Sequence, residues 1–337
     1  MFQLPQGITT FKKIRMQTIG LPVMRFERDE VRAFSPGFVN RFDGVLLEHD
    51  YGSGMRYKQS DYNGKFVSRE ESFAADIVCT TVRCPSMEDL MLLKRGATLF
   101  SMLHYPTHDL RNAFLKDRGI RCFSMDSVVD DSGRRLIENL RGTARYGLQE
   151  AFRCFFALNP SPSVVRVTVM GSGGVGLMAV DEAIHLSDVP VVVTTIGRGM
   201  TKDKARLGDV LANTDILVDA TYRQDPSLII VPRKMVDLMP SGAVICDLAV
   251  DPHIRAIEGI PIGDLSQMVF EWDRTVASCY GWPATHPFEC MAIYEPQIIP
   301  LLQEIAKGGE FDILDQNPLR RALAFSTVDN YRIPRKG

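Results

Sequence analysis

Residues 164–186 constrain the fold more tightly than any other stretch of the chain. VVRVTVM (164–170) is a short β-branched run that stops at Gly171, and the following GSGGVGLMAVDEAIHL spaces its apolar residues helically. A strand, a glycine turn and a helix in that order begin a strand–helix–strand unit. Further strands are expected at VPVVVTTIG (189–197), DILVDAT (215–221) and AVICDLAV (243–250), with crossover helices such as KARLGDVLANT and RKMVDLMPSG between them. Strands alternating with helices predict a parallel, doubly wound sheet.

Upstream, GVLLEHDYG (44–52), ADIVCTTVR (75–83), ATLFSML (97–103) and IRCFSMD (120–126) read as strands, separated by helical stretches such as SMEDLMLLKRG and HDLRNAFLKDRG. A second α/β unit is therefore expected before the first. The 337 residues exceed the size at which single cores stop growing, which agrees with two domains. Between the units, GTARYGLQEAFRCFFAL (142–158) reads as a long helix. Near the end, FECMAIYEPQIIPLLQEIAKGG reads as a helix that Pro296 and Pro300 must start, kink or interrupt.

Gly171, Gly173 and Gly176 satisfy G-x-G-x-x-G in the setting that the motif requires. Glycines there permit a tight turn, close approach to a pyrophosphate and close helix–strand packing, while the helix start offers free N–H groups to the phosphates. Gly171, Ser172, Gly173, Gly174, Val175 and Gly176 are accordingly expected to bind a dinucleotide, with Thr221 at the end of a neighbouring strand. The usual ribose reader is an Asp or Glu ~20 residues beyond the loop. Here that strand end reads Thr194-Thr195-Ile196-Gly197-Arg198 and has no carboxylate. Thr195 and Arg198, helped by Lys202 or Lys204, would instead suit a 2′-phosphate. NADP(H) is favoured over NAD(H), unless those cations form only a solvated loop.

Composition removes several classes of partner. With 39 basic against 41 acidic residues, the chain lacks the positive footprint of a nucleic-acid binder. Its seven cysteines form no C-x-x-C pair or His-linked metal pattern, so no metal is expected and a reducing compartment fits them. No apolar run approaches the ~20 residues needed to span a bilayer, and the N-terminus has no apolar leader. A cytoplasmic protein without membrane contact is the expectation.

Several segments, in order around the glycine loop, resemble the alanine dehydrogenase family, which includes the transhydrogenase nucleotide-binding subunits, lysine-forming saccharopine dehydrogenase and carboxyethylornithine synthase. They are IGLPVMRFERDEVRAFSP (19–36), DIVCTTVRCP (76–85), LFSMLHYPTH (99–108), SMDSVVDDSGRRL (124–136), ICDLAVDPH (245–253) and PATHPFECMAIYEPQIIPLL (283–302). The resemblance implies a Rossmann-type domain (143–282) inserted into a discontinuous substrate domain (1–142 and 283–337). The cofactor would lie in the cleft, and the assembly would be a homo-oligomer. It also implies hydride transfer between nicotinamide and an amino acid α-carbon or the corresponding imine.

His104 occupies the family's catalytic histidine position, where an imidazole titrating near neutrality moves a proton. The other reading is a histidine bonded at a strand end. Asp251 matches the acidic residue at the cleft floor, or is a turn residue before Pro252. Asp247 shares its parity and would face the same way on a regular strand. Arg83 stands at the usual lysine position; its guanidinium can hold a carboxylate but cannot be a neutral proton acceptor. The family's N-terminal arginine falls at Val31, leaving Arg32 or Arg28 either as carboxylate clamp or as surface cation. Trp282 and His286 would suit a larger amino acid, or His286 would cap the return helix. The preferred reading is reductive condensation of a 2-oxo acid with an amino acid. A simple ammonia-using amino acid dehydrogenase and an inactive nucleotide-binding protein are the alternatives.

Overall fold

The β-branched and leucine-rich runs form short strands, and the computed structural model describes residues 17–25, 31–104, 109–221, 228–249, 256–261, 268–307 and 323–324. Contacts divide the chain into two units. The first comprises Met1–Met24, Ala33–Leu136 and Gln297–Gly337, and the second Arg25–Arg32 and Ile137–Pro296.

Along the first unit run β1 (Ile19–Leu21), α1 (Pro36–Val39), β2 (Val45–Glu48), β3 (Lys65–Val67), α2 (Arg69–Phe73), β4 (Ile77–Cys79), α3 (Met87–Met91), β5 (Thr98–Ser101), α4 (Asp109–Asp117) and β6 (Arg121–Ser124). Their sheet has the order β3-β2-β1-β4-β5-β6, all parallel. Order reverses between β1 and β4. The central strands β4 and β5 are buried along their whole length, as expected when helices cover both faces. Ser35, Ser68 and Ser86 cap α1, α2 and α3 by accepting first-turn N–H groups.

The second unit contains α5 (Leu140–Leu158), β7 (Val165–Met170), α6 (Gly174–His185), β8 (Val191–Ile196), α7 (Arg198–Lys202), α8 (Lys204–Leu211), β9 (Ile216–Asp219), α9 (Arg233–Val236), β10 (Val244–Asp247), β11 (Val269–Glu271), β12 (Thr275–Ser278) and α10 (Trp282–Thr285). The sheet order is β11-β12-β10-β9-β7-β8, parallel except for β11. Period-two alternation sorts its core. Val165, Val167, Val169, Ile216, Val218, Val244 and Cys246 pack under α5 and α6, whereas Met170, Leu217 and Ile245 face α8 and α9.

α11 (Pro287–Ala306) and β13 (Leu323–Ala324) complete the elements, β13 pairing antiparallel with β6. α11 runs helically through Pro296 and Pro300, so neither proline starts or interrupts it, two of the three outcomes expected there. Each proline removes one N–H from the ladder, and a twenty-residue helix tolerates the two losses. Several strands are shorter than their sequence runs, GVLLEHDYG contributing only β2. The three-residue strands β3 and β11 had no usable periodicity. The division falls at Leu136/Ile137 and Pro296/Gln297, whereas the sequence suggested 142/143 and 282/283. Among the described residues no helix is long and apolar enough to cross a membrane, and no group of His, Cys, Asp or Glu could hold a metal ion.

Two polar clusters lock the strand-order reversal of the first unit. After β1, the Val23 N–H donates to Glu48 Oε2 (2.9 Å), and Arg69 bridges Glu48 (2.7 Å) and Asp89 (2.6 Å). At the opposite edge, Asp76 accepts from the Thr18 N–H and hydroxyl (both 2.9 Å) and pairs with Lys94. Burial alone would push the Asp76 carboxyl up, but the hydrogen bonds from Lys94 and Thr18 outweigh it and hold the group at about 2. A depressed folded value stabilises above the unfolded value of ~3.9, and that contribution disappears as pH falls towards about 2. The urea midpoint should therefore fall between pH 5 and pH 3 by more in the wild type than in Asp76→Asn; equal falls would contradict this.

Candidate active site

The glycine loop leaves β7 at the point where strand order in the second sheet reverses between β7 and β9. Ligands of doubly wound sheets bind outside the carboxyl ends of strands at such a point. Gly171 has φ +104°, and a Cβ there would lie 2.4 Å from the Ala220 carbonyl oxygen at the end of β9. At Gly176 a Cβ would lie 2.0 Å from the Gly171 carbonyl oxygen, so helix and turn approach too closely for any side chain. Gly173 differs: an added Cβ there meets nothing within 4 Å. As the cap of α6 it supplies no side-chain hydrogen bond, so the first-turn N–H groups of Gly174, Val175 and Gly176 have no side-chain cap, while Leu140 packs beside Gly174, where a Cβ would lie 2.5 Å from its Cδ1. Ser172, Gly173 and Gly174 are exposed. These residues fit the pyrophosphate of a dinucleotide.

Neighbouring strand ends frame the loop. The Gly171 N–H donates to the Ile196 carbonyl (3.1 Å), which sets the end of β8 beside it, with Thr195 and Arg198 both exposed. Lys204 does not support Arg198, because its ammonium donates to the Ile230 carbonyl (2.7 Å). Nor does Asp203 replace the missing ribose carboxylate, since it caps α8 at the Arg206 N–H (3.1 Å). Asp219, which the sequence reading missed, accepts from both the N–H and hydroxyl of Thr221 (3.0 and 2.7 Å) and so fixes that residue's turn. A buried Asp closing a strand just before a small polar residue was the available signal. Asp247 is the last residue of β10 and accepts from the Ala249 N–H (3.1 Å). The strand therefore ends before residue 251, and the shared-parity expectation does not carry over. Asp251 and Arg28 lie outside the described residues.

Further residues of the second unit are placed by packing. Trp282 is buried, stacked on Tyr146 with ring centroids 4.9 Å apart, and Gly142 lies so close that a Cβ would come within 2.9 Å of the indole. The His286 ring lies 4.1 Å from the same tyrosine, and its Nδ1 is 2.9 Å from the Thr285 hydroxyl at the junction of α10 and α11. Arg32 is 4% exposed and reaches Cys290 Sγ at 4.0 Å, which corrects the surface-cation alternative.

In the first unit, Arg83 and His104 follow the adjacent strands β4 and β5, and each is linked to an uncommon backbone. Val82 has φ +56° and His104 φ +47°. A β-branched residue in the left-handed region is an outlier, and such conformations cost ~1–3 kcal/mol each. Hydroxyl groups hold these strand ends in place. The Arg83 carbonyl accepts from Thr80 and Ser101 (2.5 and 2.8 Å), and the Leu103 N–H donates to Ser124 Oγ (3.0 Å). Arg111 on α4 donates to the Leu103 carbonyl, while its own Nε is buried with no hydrogen-bond partner.

The His104 side chain is 53% exposed, with Nδ1 3.5 Å from Asp126 Oδ2. Asp126 sits in a single 3-10 turn, Met125–Ser127, directly after β6. Burial opposes its charge, but the hydrogen bond and charge of His104, the Ser124 hydroxyl and the charge of Arg135 win and hold the carboxyl well below the usual range. Nearby Cys84 offers no thiolate. Burial chiefly, with Asp126 adding and Arg111 opposing, pushes its thiol up to about 11. His104 and Arg83 thus follow the carboxyl ends of paired strands, which brings an imidazole and a guanidinium to the same edge of the sheet.

A Gly173→Ala variant should keep the wild-type unfolding midpoint, because its methyl meets open space, yet bind nicotinamide dinucleotides at least about tenfold more weakly, a loss of ~1.4 kcal/mol. Quenching of nicotinamide fluorescence measures this. Unchanged affinity would mean that phosphates do not approach there.

Two family descriptions match the chain: "Alanine dehydrogenase/PNT, N-terminal domain" over residues 38–145 and "Alanine dehydrogenase/PNT, C-terminal domain" over 187–329. Alanine dehydrogenase of Bacillus subtilis (strain 168) is 24% identical over 343 residues, spanning 90% of this chain and 89% of the relative. Alanine dehydrogenase of Halomonas elongata is 26% identical over 245 residues, 63% of this chain and 66% of the relative. Among solved structures, an L-alanine dehydrogenase superposes with a TM-score of 0.76 at 20% identity, covering 94% of this chain and 96% of the other. A transhydrogenase from Sinorhizobium meliloti superposes with a TM-score of 0.63 at 18% identity, covering 85% and 94%. With both halves matched in order around the glycine loop, the chain belongs to the alanine dehydrogenase/PNT family.

Proposed function

We propose that the protein is a nicotinamide-dependent oxidoreductase that interconverts a 2-oxo acid plus ammonia with the corresponding amino acid. The observation that carries this reading is the placement of His104 and Arg83 at the carboxyl ends of adjacent strands, in a chain whose other sheet carries an open glycine cradle. Ammonia-using dehydrogenation takes precedence over condensation with a second amino acid. The relatives are named alanine dehydrogenases. Trp282 and His286, the residues that favoured a larger amino acid, are instead engaged with Tyr146.

In this reading the backbone N–H groups at the start of α6 bind the pyrophosphate, and Gly171 and Gly176 let the turn, the helix and the end of β9 pack closely enough to present them. The bound dinucleotide supplies the hydride that reduces the imine carbon. Arg83 holds the substrate carboxylate and polarises its carbonyl, remaining cationic throughout. His104 moves the proton that must leave nitrogen and reach oxygen as water is lost from the carbinolamine. Positioning of the reactants provides much of the acceleration.

The preference for NADP(H) rests on the end of β8, where Arg198 opens α7 and no carboxylate is left to repel a 2′-phosphate. Replacing Arg198 with Ala should weaken NADPH binding about tenfold while leaving NADH within about a factor of two. Equal effects on both would remove the 2′-phosphate assignment.

NADPH oxidation with a panel of 2-oxo acids should require ammonium, and His104→Ala should lower turnover by ~10²–10⁴ with dinucleotide binding retained. Oxidation that requires a second amino acid, and not ammonium, would restore the condensation reading. Activity unaffected by His104→Ala would remove the histidine from the chemistry.

A further inference from the structure

We infer that Asp126 is the positioning residue for His104, fixing both its backbone and the tautomer of its ring. This rests on His104 as the proton-handling group. The carboxylate uses both oxygens on the same residue: Oδ1 lies 3.4 Å from the His104 N–H, and Oδ2 lies 3.5 Å from Nδ1 of the imidazole. Oδ1 also accepts the Ser124 hydroxyl, and Ser124 Oγ accepts the Leu103 N–H. The residues on either side of the Leu103–His104 peptide are thus tied to the last residue of β6 and to the turn that follows it.

That attachment accounts for a backbone that is otherwise unfavourable. A histidine at φ +47° persists only where the surroundings over-determine it. Here Asp126 and Ser124 hold the two N–H groups while Arg111 holds the intervening carbonyl of Leu103. The register of the sheet makes the arrangement possible, since Ser101 pairs with Ser124 and carries the ends of β5 and β6 to the same height. The Asp126 side chain is 7% exposed, so it is shielded from water and bulk charge on most sides. A carboxylate facing Nδ1 selects the tautomer with hydrogen on Nδ1 and directs Nε2 to the reacting proton. Distances of 3.4–3.5 Å are long for charge-assisted bonds, and contacts of this kind tighten when substrate arrives.

The test compares the wild type with Asp126→Asn, which keeps the volume and removes the charge. In protein labelled with ¹⁵N-histidine, the His104 signals are assigned by their loss in His104→Gln. Neutral His104 should be in the Nδ1–H form in the wild type and shift towards Nε2–H in Asp126→Asn. Turnover should fall at least about 100-fold in Asp126→Asn while the substrate KM and NADPH affinity stay within about threefold. Should Asp126→Asn fail to fold, Ser124→Ala removes one hydrogen bond to the same carboxylate and should give a smaller shift in the same direction. The same tautomer in wild type and variant overturns the inference whatever the activity. A wild type that turns over no 2-oxo acid with ammonia contradicts the proposed function, while the tautomer comparison still decides the role of Asp126.

Discussion

Parallel pairing brings the strands of each sheet, apart from the antiparallel β11 and β13, to their carboxyl ends on one edge, and both sheets of this protein reverse their strand order beside their first strand. At such a reversal the crossover helices diverge to opposite faces, and a crevice is left that the fold itself does not fill. Arg83, His104 and the glycine loop lie at these edges, just beyond strands that are buried along β4, β5, β9 and β10. In the second sheet the reversal at β7 and β9 sets the glycine turn against Ala220. In the first, the cluster around Glu48 and Arg69 secures the chain leaving β1, while the neighbouring ends of β4, β5 and β6 carry Arg83, His104 and Asp126.

The two edges achieve their geometry by different means. The glycine loop avoids strain by omitting side chains, since Gly171 adopts a positive φ that other residues rarely do and Gly176 sits where no Cβ fits. The first sheet retains side chains in left-handed conformations at Val82 and His104 and offsets the cost with buried hydroxyls and one carboxylate. A dinucleotide phosphate needs backbone N–H groups and space, so glycine serves it. In the proposed reaction a proton is moved by an imidazole held in one orientation, which calls for a side chain at that position.

What could be read from the sequence follows from how local each signal is. The strand–turn–helix at Gly171 was legible because all of its parts are contiguous, and the order of the flanking segments pointed to the family and the fold class. His104 and Arg83 were singled out by resemblance alone. Asp126 was visible within SMDSVVDD only as part of an acidic hairpin, because its relation to His104 arises from the pairing of β5 with β6 and from the turn after Ser124. Trp282 and Arg32 were read as substrate-side groups by resemblance, Arg32 with a surface cation as the other reading. Their burial against Tyr146 and Cys290 is a tertiary fact that no periodicity encodes. The same holds for α11, where the helix passes through two prolines that local rules treat as breaks.

The central claim is that hydride passes between a nicotinamide ring and the α-carbon of an amino acid. It is tested most directly by supplying NADPH deuterated at C4 on either face, with a 2-oxo acid and ammonium, and locating the label by NMR. Deuterium should appear on the α-carbon of the amino acid product, from one face only, and not without ammonium. Deuterium carried into a 2-hydroxy acid, or retained on the dinucleotide from both faces, would contradict it.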